Sequence, residues 1–130
     1  MNVHLIDDDE VFHFITECML LEVNFATQIR TFTDAREALR VIGQDIPLSV
    51  LDVIFLDLNM PLMDGWQFLK ALEPYKDQLK GRCRIYILTS SLNMSDMQLA
   101  AEDELVCGFI HKPLDEKDVQ VILAELKKQS

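Results

Sequence analysis

Four short polar stretches carry the side chains able to do chemistry together: Asp7-Asp8-Asp9, Asp57, Thr89-Ser90-Ser91 and Lys112-Pro113. Carboxylates held within a few ångströms repel, by roughly 1 kcal/mol per pair in water and about 4 kcal/mol at an effective dielectric of 20. A divalent cation resolves that conflict. The donors on offer are all oxygen: Asp8 and Asp57 directly, Asp7 through a water, and a main-chain carbonyl from the loop after Asp57. Such a hard set, without His or Cys, selects Mg²⁺ or Mn²⁺ over zinc and leaves positions for water and a phosphoryl oxygen. Carboxylate, Mg²⁺, a hydroxyl and a lysine are the components of phosphoryl transfer to an aspartate. Asp57 is then the nucleophile, already ionised and in need of no general base, while Lys112 and Thr89 each meet a phosphoryl oxygen. Singly, each stretch has an ordinary reading, with Asp8 or Asp9 capping one helix, Thr33 capping another, and Asp57 to Pro61 and Asp64-Gly65 forming turns. Their joint position at strand ends favours a site.

For these residues to meet, the chain has to deliver them to one edge of one layer. Short apolar runs at Val3 to Ile6, Gln28 to Phe32, Val53 to Leu56, Arg84 to Leu88 and Cys107 to Ile110 read as strands. Helical stripes alternate with them. Val11, Phe14, Ile15 and Cys18 fall at i, i+3, i+4 and i+7, as do Ala35, Ala38, Leu39 and Ile42, and again Val119, Ile122, Leu123 and Leu126, so each should face a sheet. A third helix runs from Gly65 to about Leu72, where Pro74 ends or bends it and leaves Tyr75 to Gly81 as a polar excursion. Another, from about Ser95 to Glu104, has the weakest stripe, Met97, Ala100 and Ala101. Five strands strictly alternating with five helices make an α/β, doubly wound parallel sheet covered on both faces. Because the second strand ends in Thr31-Phe32-Thr33 without a carboxylate, the order 2-1-3-4-5 fits, with strands one and three as central neighbours and the groove at their carboxyl ends.

The 130 residues, 49% of them apolar, suffice for one domain over 1–130 and leave no room for a fused output domain. With 22 acidic against 12 basic residues and a net charge of −10, nucleic acid and anionic membrane are poor partners. No apolar run approaches a membrane span, and Met1 to Ile6 is too short before Asp7 for a signal peptide, so a cytoplasmic location is expected. Cys18, Cys83 and Cys107, odd in number and widely spaced, suit buried thiols in a reducing compartment. His4 reads as a core or edge residue, His13 as solvated, and His111 as pointing away from Lys112 across the strand. Met19, Met94 and Met97 read as packing or surface residues, and Trp66 as partly exposed.

At these residues the sequence resembles a response regulator receiver domain of two-component signalling, with a flavodoxin-like fold. The likeness lies in Asp7-Asp8-Asp9, in Val53-Ile54-Phe55-Leu56-Asp57-Leu58-Asn59-Met60-Pro61-Leu62-Met63-Asp64-Gly65, in Ile87-Leu88-Thr89-Ser90-Ser91 and in Gly108-Phe109-Ile110-His111-Lys112-Pro113. It spans essentially the whole chain. The resemblance implies Asp57 as phosphoacceptor, Asp7 and Asp8 organising Mg²⁺, the Asn59 carbonyl as a further ligand, Thr89 as switch hydroxyl, Phe109 as switch aromatic and Lys112 on the phosphoryl group. It also implies a cis bond between Lys112 and Pro113. The donor would be a sensor histidine kinase or a histidine phosphotransfer protein, docking on the rim of the first helix and the loop at Pro113, and a further protein would read the switched surface.

Three departures stand out. Phe109 occupies a place where many relatives carry tyrosine, Ser90 one often held by alanine, and the connection from Pro74 to Arg82 is longer than in compact relatives. Two other functions compete: a receiver-like docking module that is never phosphorylated, and a phosphatase of the haloacid dehalogenase type. The phosphatase needs an acid–base aspartate two residues after its nucleophile, where this chain has Asn59, which transfers no proton. The expectation is therefore a phosphoacceptor and not an enzyme, with only self-phosphorylation from small donors and self-dephosphorylation.

Overall fold

Apolar residues in the central strands point alternately to two opposite faces, so one continuous run feeds two cores. The computed structural model describes residues 2–26, 28–45, 51–91 and 93–128. Along the chain come β1 (Asn2–Ile6), α1 (Glu10–Glu22), β2 (Gln28–Phe32), α2 (Ala35–Asp45), β3 (Val53–Asp57) and α3 (Gly65–Ala71). A single 3₁₀ turn at Glu73–Tyr75 leads to α4 (Lys76–Leu79), β4 (Arg84–Thr89), α5 (Met94–Glu102), β5 (Val106–His111) and α6 (Glu116–Lys128). The strands form one parallel sheet in the order β2-β1-β3-β4-β5. Val3, Leu5, Val53, Phe55, Tyr86 and Leu88 pack with Leu20 of α1 and Val119 and Ile122 of α6. On the other face Ile6, Ile54, Leu56, Ile85 and Ile87 pack with Ala38 and Ile42 of α2, Phe68 and Leu69 of α3 and Ala100 of α5.

The expected strand order and two-sided covering are present, and the stripes on α2 and α6 face the sheet as their spacing implies. Among the described residues the α-helix count is six rather than five. Within the segment expected to be a polar excursion, Leu79 is buried and Tyr75 packs against the same core, which is enough apolar area to fold α4 onto the sheet. Pro74 sits in the first turn of the 3₁₀ segment, where its missing N–H costs nothing.

Helix α1 reverses the expectation. Val11 is 66% exposed, Phe14 70% and Ile15 61%, with Cys18 also exposed, while His13, Thr16 and Leu20 face the sheet. The helix is apolar on more than one side, so periodicity alone offered two stripes, and the sheet took the one containing Leu20 and a histidine. His13, expected in solvent, is buried. On α5 only Ala100 is buried and Met97 and Ala101 are exposed, so the expected three-residue stripe is one residue wide. Of the cysteines, Cys83 is buried as expected but Cys18 and Cys107 are exposed. His4 is buried as anticipated, with its ring tilted against Phe32, and His111 is exposed.

Candidate functional site

Strand register brings the acids together. Ile6 pairs with Leu56, so Asp7, just past the end of β1, and Asp57, the last residue of β3, sit side by side at the central strand ends. Asp57 is level with Leu88, which sets Thr89 one step beyond it on β4. Thr89 in turn pairs with His111, and the Lys112 N–H donates to the Thr89 carbonyl at 2.8 Å, so Lys112 follows at the same edge. One carboxylate oxygen from each of Asp7, Asp8 and Asp57 lies within 4.8 Å of the others. Asp7 and Asp57 are buried while Asp8 is exposed at the rim. The Lys112 ammonium donates to Asp7 Oδ2 and lies 3.4 Å from Asp57 Oδ2.

Short-range geometry fixes each group. Asp9 caps α1 by accepting the Val11 and Phe12 N–H groups, and Asp7 Oδ1 accepts the Asp9 N–H at 2.9 Å, which ties the acidic run to the helix start. After β3, Asp57 Oδ1 accepts the Asn59 N–H at 3.2 Å and Leu62 takes a positive φ of 70°. Asp64 caps α3 in a reciprocal box with Gln67. At Gly65 a Cβ would lie 2.8 Å from the Asp57 carbonyl and from Leu58 Cα, so only glycine lets α3 start this close to the Asp57 loop. The second helix is capped by Asp34, whose carboxylate accepts the Arg36 N–H, rather than by Thr33. The Lys112–Pro113 bond is cis, in line with the expectation.

Electrostatically, three carboxylates face one ammonium. Burial, and then the neighbouring Asp7 charge, push the Asp57 carboxyl above its ordinary value against the opposing pull of Lys112. For Lys112, burial works to lower its value, but its hydrogen bond to Asp7 and the charges of Asp57 and Asp7 together raise it. The excess of negative charge on hard oxygen donors suits one small divalent cation and offers nothing to a soft metal. Thr89 is buried, and its hydroxyl donates to the Ser91 carbonyl at 3.1 Å while accepting the Ser91 N–H at 3.2 Å. Phe109 is half-buried against the core that contains Ile87, its register partner. Asn59 is exposed beside Asp57.

Two further α1 residues reach this site: Phe12, not singled out from the sequence, and His13, expected in solvent. The Lys112 ammonium lies 4.7 Å from the centroid of the Phe12 ring, over its face. His13 Nε2 is 2.6 Å from the Asp7 carbonyl and 3.1 Å from that of Phe32. The available signal was the second stripe of α1, Phe12, Thr16, Met19 and Val23, which competes with the more apolar one.

Solved structures share this architecture. A two-component response regulator from Cytophaga hutchinsonii superposes with a TM-score of 0.91 at 22% identity, covering 98% of this chain and 96% of the other. A response regulator receiver protein from Dyadobacter fermentans gives 0.84 at 25% identity over 99% and 97%. Chemotaxis protein CheY4 from Vibrio cholerae gives 0.75 at 26% identity over 99% and 98%. No curated protein matches the chain by sequence. The model of the response regulator receiver domain, however, matches residues 3–124, nearly the whole length. The chain therefore belongs to the response regulator receiver domain family of two-component signalling.

Proposed function

We propose that Asp57 accepts a phosphoryl group from a phosphohistidine on a sensor histidine kinase or histidine phosphotransfer protein. The observation that carries this reading is the convergence of Asp7, Asp8 and Asp57 within 4.8 Å, with Lys112 on Asp7 and 3.4 Å from Asp57. An Asp57 oxygen attacks phosphorus, the new O–P bond forming as the P–N bond to the donor imidazole breaks and its electron pair returns to nitrogen. Asp8, Asp57 and the Asn59 carbonyl would hold Mg²⁺ directly. Asp7, more deeply buried than Asp8 and already bonded to the Lys112 ammonium, would act through water. Bound Mg²⁺ supplies charge neutralisation for the phosphoryl oxygens. Lys112 moves its ammonium from carboxylate to phosphoryl oxygen, a shift within reach of its present position. Thr89 exchanges its bond to the Ser91 carbonyl for one to the phosphoryl group, and Phe109 turns into the space released. The β4, α5 and β5 face, where Met94, Met97 and Leu99 are exposed, is the surface a downstream protein would read.

Docking of the donor is supported by α1. Its outer side presents Val11, Phe14, Ile15 and Leu21 while its inner side touches the site through Phe12 and His13, so a helical donor seated on that stripe brings its histidine to Asp57. Incubation with acetyl phosphate and Mg²⁺, followed by intact-mass measurement, should add one phosphoryl group to the native protein and none to Asp57→Asn. Equal labelling of both would refute the assignment. No labelling of the native protein, with no beryllofluoride binding, would favour a docking module instead.

A further inference from the structure

The sheet-facing side of α1 carries a buried histidine. His13 is 6% exposed, its Nδ1 has no hydrogen-bond partner among the described residues, and its Nε2 lies against two carbonyl oxygens, those of Asp7 and Phe32. Carbonyls only accept, so Nε2 carries the hydrogen and donates to both. A buried ring nitrogen left without a partner is a cost to folding, which points away from stability as the reason for the histidine.

What the donated bond does is local. The Asp7 carbonyl belongs to the peptide that joins Asp7 to Asp8, and its direction sets ψ of the first residue and φ of the second. Fixing it therefore fixes how both carboxylates leave the backbone. The second contact anchors the same ring to Phe32, whose carbonyl also accepts the Asp7 N–H at 3.0 Å, so His13 ties the end of β1 to the end of β2 and to α1. Asp8 depends most on this. Asp7 is held by Asp9 and Lys112 and Asp57 by Asn59 and Lys112, whereas among the described residues the Asp8 side chain has no hydrogen-bond partner, so only its main chain aims it.

We propose that His13 is a positioning residue for the acidic pocket: its Nε2–H clamp on the Asp7 carbonyl holds Asp7 and Asp8 converged for a divalent cation. The inference rests on reading Asp7, Asp8 and Asp57 as a cation pocket. Groups that orient metal ligands typically contribute about 10- to 100-fold to affinity.

The test uses Mn²⁺ binding followed by electron paramagnetic resonance, with Mg²⁺ as competitor, on the native chain and on His13→Leu, His13→Asn and His13→Gln. The glutamine amide reaches the Nε2 position and the asparagine amide does not. The expected result is Mn²⁺ binding weakened about tenfold or more in His13→Leu and His13→Asn and restored to near native in His13→Gln. Thermal midpoints of native and His13→Leu without cation should be similar, separating positioning from folding; if His13→Leu does not fold, the Asn and Gln pair makes the same comparison. Native-like Mn²⁺ affinity in folded His13→Leu or His13→Asn overturns the proposal, as does failure of folded His13→Gln to recover. Absence of Mn²⁺ binding in the native protein instead removes the cation pocket itself, and the proposal with it.

Discussion

At the scale of single residues, Asp57 is held in a state that its folding does not favour. Burial first and the Asp7 charge second raise its carboxyl above the ordinary value of 3.8, so the folded chain keeps a proton there at pH values where the unfolded chain has lost it. Stability without cation must then fall as pH rises through the interval just above that ordinary value. Asp57→Asn removes the charge, and at neutral pH without cation it should raise stability by about 1 kcal/mol, or roughly 3 to 5 °C in thermal midpoint. The gain should shrink as the pH is lowered towards the ordinary carboxylate value, and a midpoint difference that does not change with pH would contradict it. Lys112 has the opposite role. Lys112→Met takes the ammonium out of a cluster of three carboxylates, so Mg²⁺ should bind more tightly, by about 1 kcal/mol, while transfer to Asp57 slows. Calorimetric titration with MgCl₂ beside an acetyl phosphate labelling rate reads both directions in one variant.

Among the elements, α1 has two working sides and α4 one. On α1 the inward Phe12 and His13 touch the site and the outward Phe14 and Ile15 meet solvent, so substitution outside should spare the chemistry. Phe14→Ser with Ile15→Ser is expected to leave the folding midpoint within about 0.5 kcal/mol and labelling by acetyl phosphate unchanged. Transfer from a phosphohistidine protein should fall at least about tenfold, since few interface residues carry most of the affinity. Equal transfer from the protein donor would place docking elsewhere. Within α4, Leu79 is 3% exposed and is what makes a segment of lysines, Asp77 and Gln78 fold onto the sheet. Leu79→Ala should cost about 2 to 5 kcal/mol in urea unfolding, a value far too large for a surface loop.

For the molecule as a whole, the parallel sheet gathers charge at one end and covers both faces with helices. The net charge of −10 is not spread evenly, because three of its acids converge at the carboxyl ends of β1 and β3. Relieving that repulsion links cation binding to folding. Mg²⁺ at ten times its dissociation constant should add about 1.4 kcal/mol of stability, and this increment should vanish in Asp8→Asn combined with Asp57→Asn. Thermal unfolding across a MgCl₂ series reads it directly. Among the described residues no helix is long and apolar enough to cross a membrane.

The sequence by itself determined the parts that repeat or that need no partner: five apolar runs long enough to be strands, the stripes of α2 and α6, and acids, hydroxyl and lysine at the strand ends. Alternation with helices then left few sheet orders, and the acid-free end of β2 selected one of them. Tertiary structure decided what depends on competition between equal local choices. On α1 two stripes were available, and the buried side went to Leu20, Thr16 and His13, which sets His13 Nε2 against the Asp7 and Phe32 carbonyls at the sheet end, a placement no helical period contains. On α4 a four-residue helix is too short to exist without Leu79 reaching a core built from distant strands. Phe12 and His13 became part of the site for the same reason: their chemistry lies in where Lys112 and the Asp7 carbonyl come to rest, 105 residues apart in the contact of Lys112 with Asp7, and only the packed sheet sets that position.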